Sequence, residues 1–335
     1  MHPFRVERTR GGIAESVHRV SAAVLDADGR LRAWVGNPDL ITFWRSAAKP
    51  IQAIPLIEDG VLEHYGLGSE ELALACASHS SEYTHLAVAE RFLARIGCAE
   101  DDLACGPHPP LGAEAARDVS EKHTVLTPRW SNCSGKHAGM LALARHHGWP
   151  TAGYQAEGHP VQERLLEAVA RWTGFPRDQI LLAVDGCTTL CYALPLRGMA
   201  LSYARLGVSA EPAAVAVRDA MLRHPDLIAG EGRFCTDLMR AMPGQIIAKI
   251  GAEGIYSAAV PSSGLGITLK VEDGDMRASA VALLGLLRRV LARLGGPVVP
   301  DEGLEAYEGI PIRNTRGQVT GAYQSSGELQ FPDGE

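Results

Sequence analysis

The sequence predicts a mixed α/β chain: an antiparallel sheet built from strands of both termini, with a helical region inserted between them. Short apolar runs of strand character lie near both ends, and apolar residues at helical spacing fill the middle. Strands and helices do not alternate, which argues against a doubly wound parallel sheet. We predict a single unit over residues 1–335, with the sheet from about 1–45 and 245–335 and the helices from about 46–244.

Each predicted element follows from local pattern, beginning with a hairpin over Val20–Val35 that turns at Asp28 and Gly29. A helix is expected over Thr42–Glu58. Further helices are predicted where apolar residues recur at helical spacing, over Thr84–Ile96, Ala138–His147, Val161–Trp172, Pro212–Arg223 and Ser279–Leu294. Strands are predicted where short apolar runs are separated by glycine, over Gln245–Ile250, Ile255–Val260, Gly266–Val271 and as a pair within Ile312–Gln324.

Composition excludes several classes of protein. Of 335 residues, 46% are hydrophobic, and the formal net charge of −7 comes without a basic stripe, so we expect no nucleic-acid partner. The longest apolar run, Ala280–Leu287, is far too short to cross a membrane. The first twelve residues lack the apolar core of a secretory signal, and the odd number of cysteines, 7, favours reduced thiols. We therefore expect a cytoplasmic protein.

Lysine is unusually rare in this chain. Of 32 basic residues only five are lysines, namely Lys49, Lys122, Lys136, Lys249 and Lys270. Since arginine serves equally well for general surface charge, a remaining lysine has a raised chance of needing to lose its proton. Lys122 and Lys270 are the two that we expect to be ordinary surface residues.

The segment Arg45–Pro50 carries an S-x-x-K motif. Pro50 cannot lie four residues inside a helix, so the helix is predicted to begin at about Ser46. Lys49 then lies one turn on, on the same face, where its neutral form could take the Ser46 proton, as in acyl-transfer enzymes. On this motif alone, a serine N-cap with an exposed lysine explains the pattern as well.

Two later segments strengthen the hypothesis of nucleophilic catalysis. Cys76–Ser80 follows the apolar run Leu72–Ala75 and offers Ser78 as a second serine that could relay protons. Lys249–Gly251 has the K-x-G form and ends a predicted strand. The order S-x-x-K, serine, K-x-G is that of penicillin-recognising and glutaminase serine hydrolases. An N-cap role for Ser78 and a strand-edge role for Lys249 are the structural alternatives.

Two more polar segments have the character of ligand-binding loops. Trp130–Met140 is dense in polar groups and precedes a predicted helix, but it lacks the glycine spacing of a phosphate-binding loop. Asp185–Thr189 ends the strand-like run Ile180–Val184, a frequent location of site residues.

These segments together resemble the asparaginase II family of Rhizobium-type enzymes over nearly the whole chain. The matching segments are Arg45–Leu56, Cys76–Ala87, Asn132–Leu141, Asp185–Leu196 and His224–Phe234. The resemblance implies a serine-β-lactamase-like fold, a homodimer, and hydrolysis of L-asparagine to aspartate and ammonia. His79–Ser80 stands where penicillin-recognising enzymes have Asp-Asn, which argues against a β-lactam substrate.

The resemblance also implies roles for individual residues. By position, the catalytic set is Ser46, Lys49, Ser78 and Lys249, the substrate-binding residues are Arg45, His137 and Asp185, and the zinc ligands are Cys133, Lys136 and Cys187. Lys270, on a neighbouring predicted strand, is the alternative to Lys249. Zinc is not needed for the expected chemistry, because the serine already supplies a nucleophile.

Two other functions remain open from the sequence. A glutaminase or another serine amidase of the same fold would carry the same motifs, and so could a non-catalytic amino-acid or metal-binding protein. Ammonia release from asparagine and from glutamine separates the first pair, and a covalent adduct on Ser46 excludes the third.

Overall fold

The computed structural model describes residues 2–332. The chain divides into two compact units. The sheet unit comprises the chain up to Ala47, the segment Leu194–Val208 and the chain from Asp237 onward, and the helical unit comprises Ala48–Ala193 and Ser209–Thr236.

Eight strands of the sheet unit form one antiparallel sheet. The strands of the described chain are β1 Arg5–Arg10, β2 Ile13–Asp26, β3 Leu31–Val35, β4 Ile41–Phe43, β5 Leu181–Val184, β6 Leu190–Pro195, β7 Ile247–Ile250, β8 Ile255–Val260, β9 Leu265–Val271, β10 Gly309–Arg313 and β11 Val319–Ser326. The order within the eight-stranded sheet is β10-β11-β1-β2-β9-β8-β7, with β3 paired to β2. Because β2 and β9 are neighbours, strands from both termini meet at the centre, which confirms the predicted fold class.

The helices are α1 Lys49–Ala53, α2 Pro55–Glu58, α3 Val61–His64, α4 Ser69–Ala75, α5 Tyr83–Ile96, α6 Ala113–Glu121, α7 Ser134–His146, α8 Pro160–Thr173, α9 Leu196–Val208, α10 Pro212–Arg223, α11 Pro225–Ile228, α12 Phe234–Ala241, α13 Met276–Leu294 and α14 Glu305–Glu308. None in the described part of the chain is long and apolar enough to cross a membrane. In the helical unit, α7 is buried along most of its length and packs against α4 and α5.

Helix α9 differs from the predicted division, which assigned residues 46–244 to the helical part. In the structure α9 belongs to the sheet unit, because it packs on β2, β8 and β9. The approach is close: a Cβ on Gly266 would lie 2.0 Å from the Ala200 carbonyl oxygen, so only glycine fits there. The covering of a sheet by a helix from mid-chain is a long-range packing event that local periodicity does not reveal.

The predicted helix over Thr42–Glu58 is present only in part. The chain forms β4, then a 3-10 helix over Arg45–Ala48, and then the short helices α1 and α2. Pro50 and Pro55 lie in the first turns of these two helices, where their missing N–H groups cost nothing. The predicted helix start near Ser46, with Pro50 in the opening turn, is confirmed.

Candidate active site

Ser46 lies in the 3-10 helix that runs without a break into α1. Residues three apart share a face in either kind of helix, so Ser46, in the 3-10 helix, and Lys49, the first residue of α1, lie on one face of this segment. Arg45, just before Ser46, has a φ of 52°, which is a strained conformation for an arginine. Tyr203 fixes the segment within the sheet unit by donating to the Ala47 carbonyl at 2.8 Å.

Lys49 is buried, and its ammonium group is held by three oxygen atoms of the helical unit. Only 1% of the surface of Lys49 is exposed. Nζ donates to the Ala77 carbonyl at 2.5 Å, to Ser78 Oγ at 3.1 Å and to the Asn132 carbonyl at 3.4 Å. The structure therefore joins the S-x-x-K lysine directly to the second predicted serine, through a loop residue, Asn132, that the sequence did not single out.

The Ser78 loop is fixed from two sides. Its backbone donates from Ser78 to the Ile228 carbonyl at 2.9 Å and from His79 to the Asn132 carbonyl at 3.3 Å. Ser81 has a φ of 58°, a second strained residue in a predicted site segment. Neither the Ile228 nor the Asn132 contact is local in sequence, so tertiary packing places this serine.

Two stacked histidines support the same loop, with ring centroids of His79 and His85 5.1 Å apart. Because His79 Nδ1 accepts from the Ser81 N–H, its Nε2 carries the proton and donates to Ser134 Oγ at 2.9 Å. Burial lowers the pKa of His79, and burial also lowers the pKa of His85 to about 4. Both rings are therefore neutral, and they support the Ser78 loop from within it, at His79, and from α5, at His85.

Lys249 is fully buried in the sheet unit, at 0% exposure. It pairs directly with Ser257 across β7 and β8, and Ser257 Oγ hydrogen-bonds Trp44 Nε1 at 3.0 Å and Thr268 Oγ1 at 2.8 Å. A Cβ on Gly251 would lie 2.9 Å from the Trp44 carbonyl oxygen. The end of β7 therefore lies against the segment that carries Ser46.

Lys270 has a different environment. It is partly exposed, and its Nζ donates to the Val271 carbonyl and, at 3.4 Å, to the Glu272 carbonyl. Of the two candidates for a second site lysine, the structure thus buries Lys249 and leaves Lys270 partly in solvent, as expected for an ordinary surface residue.

Cys133, Lys136 and Cys187 converge in the helical unit. Lys136 Nζ lies 3.0 Å from Cys187 Sγ and 2.8 Å from Thr189 Oγ1. A hydrogen bond from the Cys133 thiol and the charge of Lys136 lower the pKa of Cys187, while the same contact raises the pKa of Cys133. Burial alone would lower the pKa of Lys136, but the Cys187 thiolate outweighs it and raises that pKa.

This cluster fits a zinc ion chemically. Two cysteine sulfurs and an amine, all from buried residues, interact here, and thiolate is a ligand that zinc favours. Lys136 could bind metal only after losing its proton, since an ammonium group has no lone pair.

His137 and Asp185 both border this cluster. Tyr154 Oη accepts from the Ala104 N–H at 2.9 Å and forms a hydrogen bond with His137 Nδ1 at 2.5 Å. Burial lowers the pKa of the His137 ring. Asp185 lies in the turn between β5 and β6, where its backbone N–H donates to the Thr189 carbonyl at 2.8 Å. The charge of Asp185 contributes to the raised pKa of Lys136, so it lies near that group.

The family of the chain is shown by its match to a known protein family. The model of the L-asparaginase II family matches residues 6–325. The chain belongs to the L-asparaginase II family. It is accordingly an amidohydrolase that acts on a small-molecule substrate, and the sequence resemblance is confirmed.

Solved structures also resemble the chain, at low sequence identity. A protein named Mglu in its native form is 16% identical, with 91% of this chain and 72% of that chain covered and a TM-score of 0.47. A putative β-lactamase from Bacteroides dorei is 12% identical, covering 83% and 93%, with a TM-score of 0.44. A probable glutaminase from Bacillus subtilis is 15% identical, covering 86% and 88%, with a TM-score of 0.38. No curated protein matches the chain significantly.

Proposed function

We propose that this L-asparaginase II family member hydrolyses L-asparagine to L-aspartate and ammonia through an acyl-enzyme on Ser46. The observation that carries the proposal is the buried Lys49, whose Nζ lies 3.1 Å from Ser78 Oγ. A buried lysine held by neutral oxygens, with no carboxylate among its hydrogen-bond partners in the described chain, suits a group that must give up and regain a proton.

The reaction divides into two halves. Neutral Lys49 takes the Ser46 hydroxyl proton, and Ser46 Oγ forms a bond to the side-chain amide carbon of asparagine. Backbone N–H groups at the start of the helical segment stabilise the oxyanion. The carbon–nitrogen bond then breaks, and the proton that Lys49 took passes, with the help of Ser78 and Lys249, to the leaving ammonia. Water next attacks the aspartyl ester as Lys49 takes one of its protons; the bond from the ester carbon to Ser46 Oγ breaks, and Lys49 returns that proton to Ser46.

The remaining assigned residues bind or orient the substrate. We propose Arg45, His137 and Asp185 for this role. For His137 the role is indirect, because the ring is fully buried between Tyr154 and the cysteine cluster. Asp185, at a partly exposed turn, has a carboxylate that could pair with the substrate ammonium.

Specificity for asparagine over glutamine tests the proposal against its closest rival. A site that fixes the α-carboxylate and α-ammonium holds the amide at one distance from Ser46, and a displacement of about 1 Å can cost on the order of 100-fold. Ammonia release should give a kcat/KM for L-asparagine about 100-fold or more above that for L-glutamine. Comparable values would favour a glutaminase, and no ammonia from either would favour a binding protein.

We further propose that Cys133, Lys136 and Cys187 bind zinc. Bound zinc would hold the three side chains together and structure this part of the site, while the Ser46 chemistry proceeds on the protein's own groups. Elemental analysis of protein purified without chelator should find zinc in the wild type and in Cys191→Ser, a buried cysteine outside the cluster, but not in Cys187→Ser. Equal zinc in both variants, or none in the wild type, would contradict the site.

A homodimer and a cytoplasmic location complete the proposal. Both rest on the family resemblance and on the composition of the chain. Light scattering on the eluting peak of a size-exclusion column should give twice the chain mass of 35.7 kDa. A measured mass of one chain would contradict the homodimer but would leave the proposed reaction unaffected.

A further inference from the structure

Arg233 is a partly buried cation with no carboxylate partner among residues 2–332. Its Nη1 atom donates to the Ser78 carbonyl at 2.5 Å, and it approaches the Ala229 carbonyl at 3.3 Å and Ser80 Oγ at 3.4 Å. Nε and Nη2 make no hydrogen bond to any described residue. Nη1 thus makes all the hydrogen bonds that hold the guanidinium group to the Ser78 loop.

The loop that carries Arg233 is built to hold it in place. Gly230 has a φ of 120°, and a Cβ there would lie 2.3 Å from Glu82 Oε1 and 2.9 Å from Ser80 Oγ. The Glu82 carboxylate accepts from the Glu231 N–H at 2.9 Å, and Thr236 Oγ1 accepts from the Gly230 N–H at 3.1 Å. The loop is therefore fitted tightly against the Ser78 loop, which reduces the entropy lost when Arg233 binds a ligand.

Two basic side chains meet at the same residue. Lys49 Nζ lies 3.1 Å from the Ser78 hydroxyl, and Arg233 Nη1 lies 2.5 Å from the Ser78 carbonyl. Burial raises the pKa of Glu82, and Arg233 lies near enough for its charge to oppose that rise, but the two form no ion pair within residues 2–332. A planar carboxylate matches the edge of a guanidinium group with two parallel hydrogen bonds, so a substrate carboxylate beside Ser78 would pair with Arg233 directly.

We propose that Arg233 anchors the α-carboxylate of the substrate, an inference that rests on the proposed function. In a four-carbon amino acid, the α-carboxylate carbon is only about 4 Å from the side-chain amide carbon. Arg233 is bound to the Ser78 carbonyl, so a carboxylate held by Arg233 would place the amide of a four-carbon substrate near the Ser78 hydroxyl. That hydroxyl is the group that passes a proton to the leaving ammonia. The same fixed length disfavours glutamine, whose amide is one methylene further from its carboxylate.

The test compares two substrates in Arg233→Gln and Arg233→Lys. The second substrate is 3-aminopropanamide, which is asparagine without its α-carboxylate. For L-asparagine we expect kcat/KM to fall on the order of 100-fold, mainly through KM, because a charged hydrogen-bonded pair is lost. For 3-aminopropanamide we expect a change of less than about twofold. Inhibition by the product L-aspartate should weaken by the same factor as KM.

Arg95→Gln is the matched control. Arg95 donates to the Gly66 carbonyl at 2.8 Å and to Glu71 at 3.1 Å, away from the Ser78 loop, and its loss should leave both substrates unchanged. An equal fall for both substrates in Arg233→Gln would make Arg233 a structural clamp and overturn the inference, as would an unchanged KM and an unchanged aspartate inhibition. A wild type that releases no ammonia from asparagine would instead overturn the proposed function itself, and this inference with it.

Discussion

The sheet unit and the helical unit each bury a site lysine, but they hold it by different means. In the sheet unit, Lys249 is part of a row set by strand register, next to Ser257 and Thr268 on the two following strands. In the helical unit, Lys49 is held by backbone carbonyls of two loops that are distant in sequence. The row depends on regular pairing, whereas the loop contacts depend on tertiary packing.

This difference predicts where each region is vulnerable. A row of side chains on paired strands tolerates little change in side-chain size, because neighbouring strand backbones lie only about 4.7–4.9 Å apart in a sheet. The Ser78 loop is held by His79, His85 and Arg233, so its stability depends instead on the charges of these side chains. The predictions below test that contrast, beginning with the largest expected effect.

Replacing the buried lysines should abolish turnover, whereas replacing a partly exposed one should not. Lys49→Arg keeps the charge but cannot act as a base, so kcat for asparagine should fall below about a tenth of wild type. Lys249→Arg should also lose activity, because a larger group does not fit a fully buried row, while Lys270→Arg should retain it. If Lys49→Arg keeps more than about a tenth of kcat, the base is Ser78 with Lys249.

Adding one methyl group should separate shape-sensitive positions from open ones. A Cβ on Gly251 would lie 2.2 Å from Ile255 Cγ2, so Gly251→Ala should lower the free energy of unfolding by about 1–3 kcal/mol. Gly148, with a φ of 69° and nothing within 4 Å, is the control, at about 1 kcal/mol. Urea denaturation measures both, and a smaller loss at Gly251 than at Gly148 would contradict the close contact with β8.

Acid should weaken the loops of the helical unit. Burial lowers the pKa of His85 to about 4, so the folded state keeps this ring neutral while the unfolded state binds a proton below about pH 6.5. The stability that this ring contributes is complete above pH 6.5 and is lost as the pH falls towards 4, by at most about 1.4 kcal/mol per pH unit. Urea midpoints between pH 7.5 and 5 should fall less steeply in His85→Gln; equal slopes would show that His85 does not act in this way.

Much of the fold was predictable because it rests on local pattern. The turn at Asp28 and Gly29, the helix Pro212–Arg223 and the strand Ile255–Val260 all occur as expected. Proline chemistry also placed the helix start near Ser46 correctly. These features depend on residues within a few positions of one another.

The candidate site was predictable only in its residue types. Scarcity of lysine pointed to Lys49, Lys136 and Lys249, and these are the three that the structure buries, whereas Lys122 and Lys270 are not buried. Sequence reasoning missed Asn132, whose backbone carbonyl accepts from Lys49, because every residue type has a backbone carbonyl and the contact therefore requires no particular side chain. It also assigned no role to Arg233, although that residue lies within the matching segment His224–Phe234.

Covalent labelling of Ser46 tests the central claim most directly. The enzyme would be treated with a diazoketone analogue of L-asparagine, and the intact mass and the peptide map would then be measured. The account predicts one adduct per chain, located on Ser46, absent from Ser46→Ala and prevented by excess L-aspartate. An adduct on Ser78 or elsewhere, or undiminished asparagine hydrolysis by Ser46→Ala, would contradict Ser46 as the nucleophile.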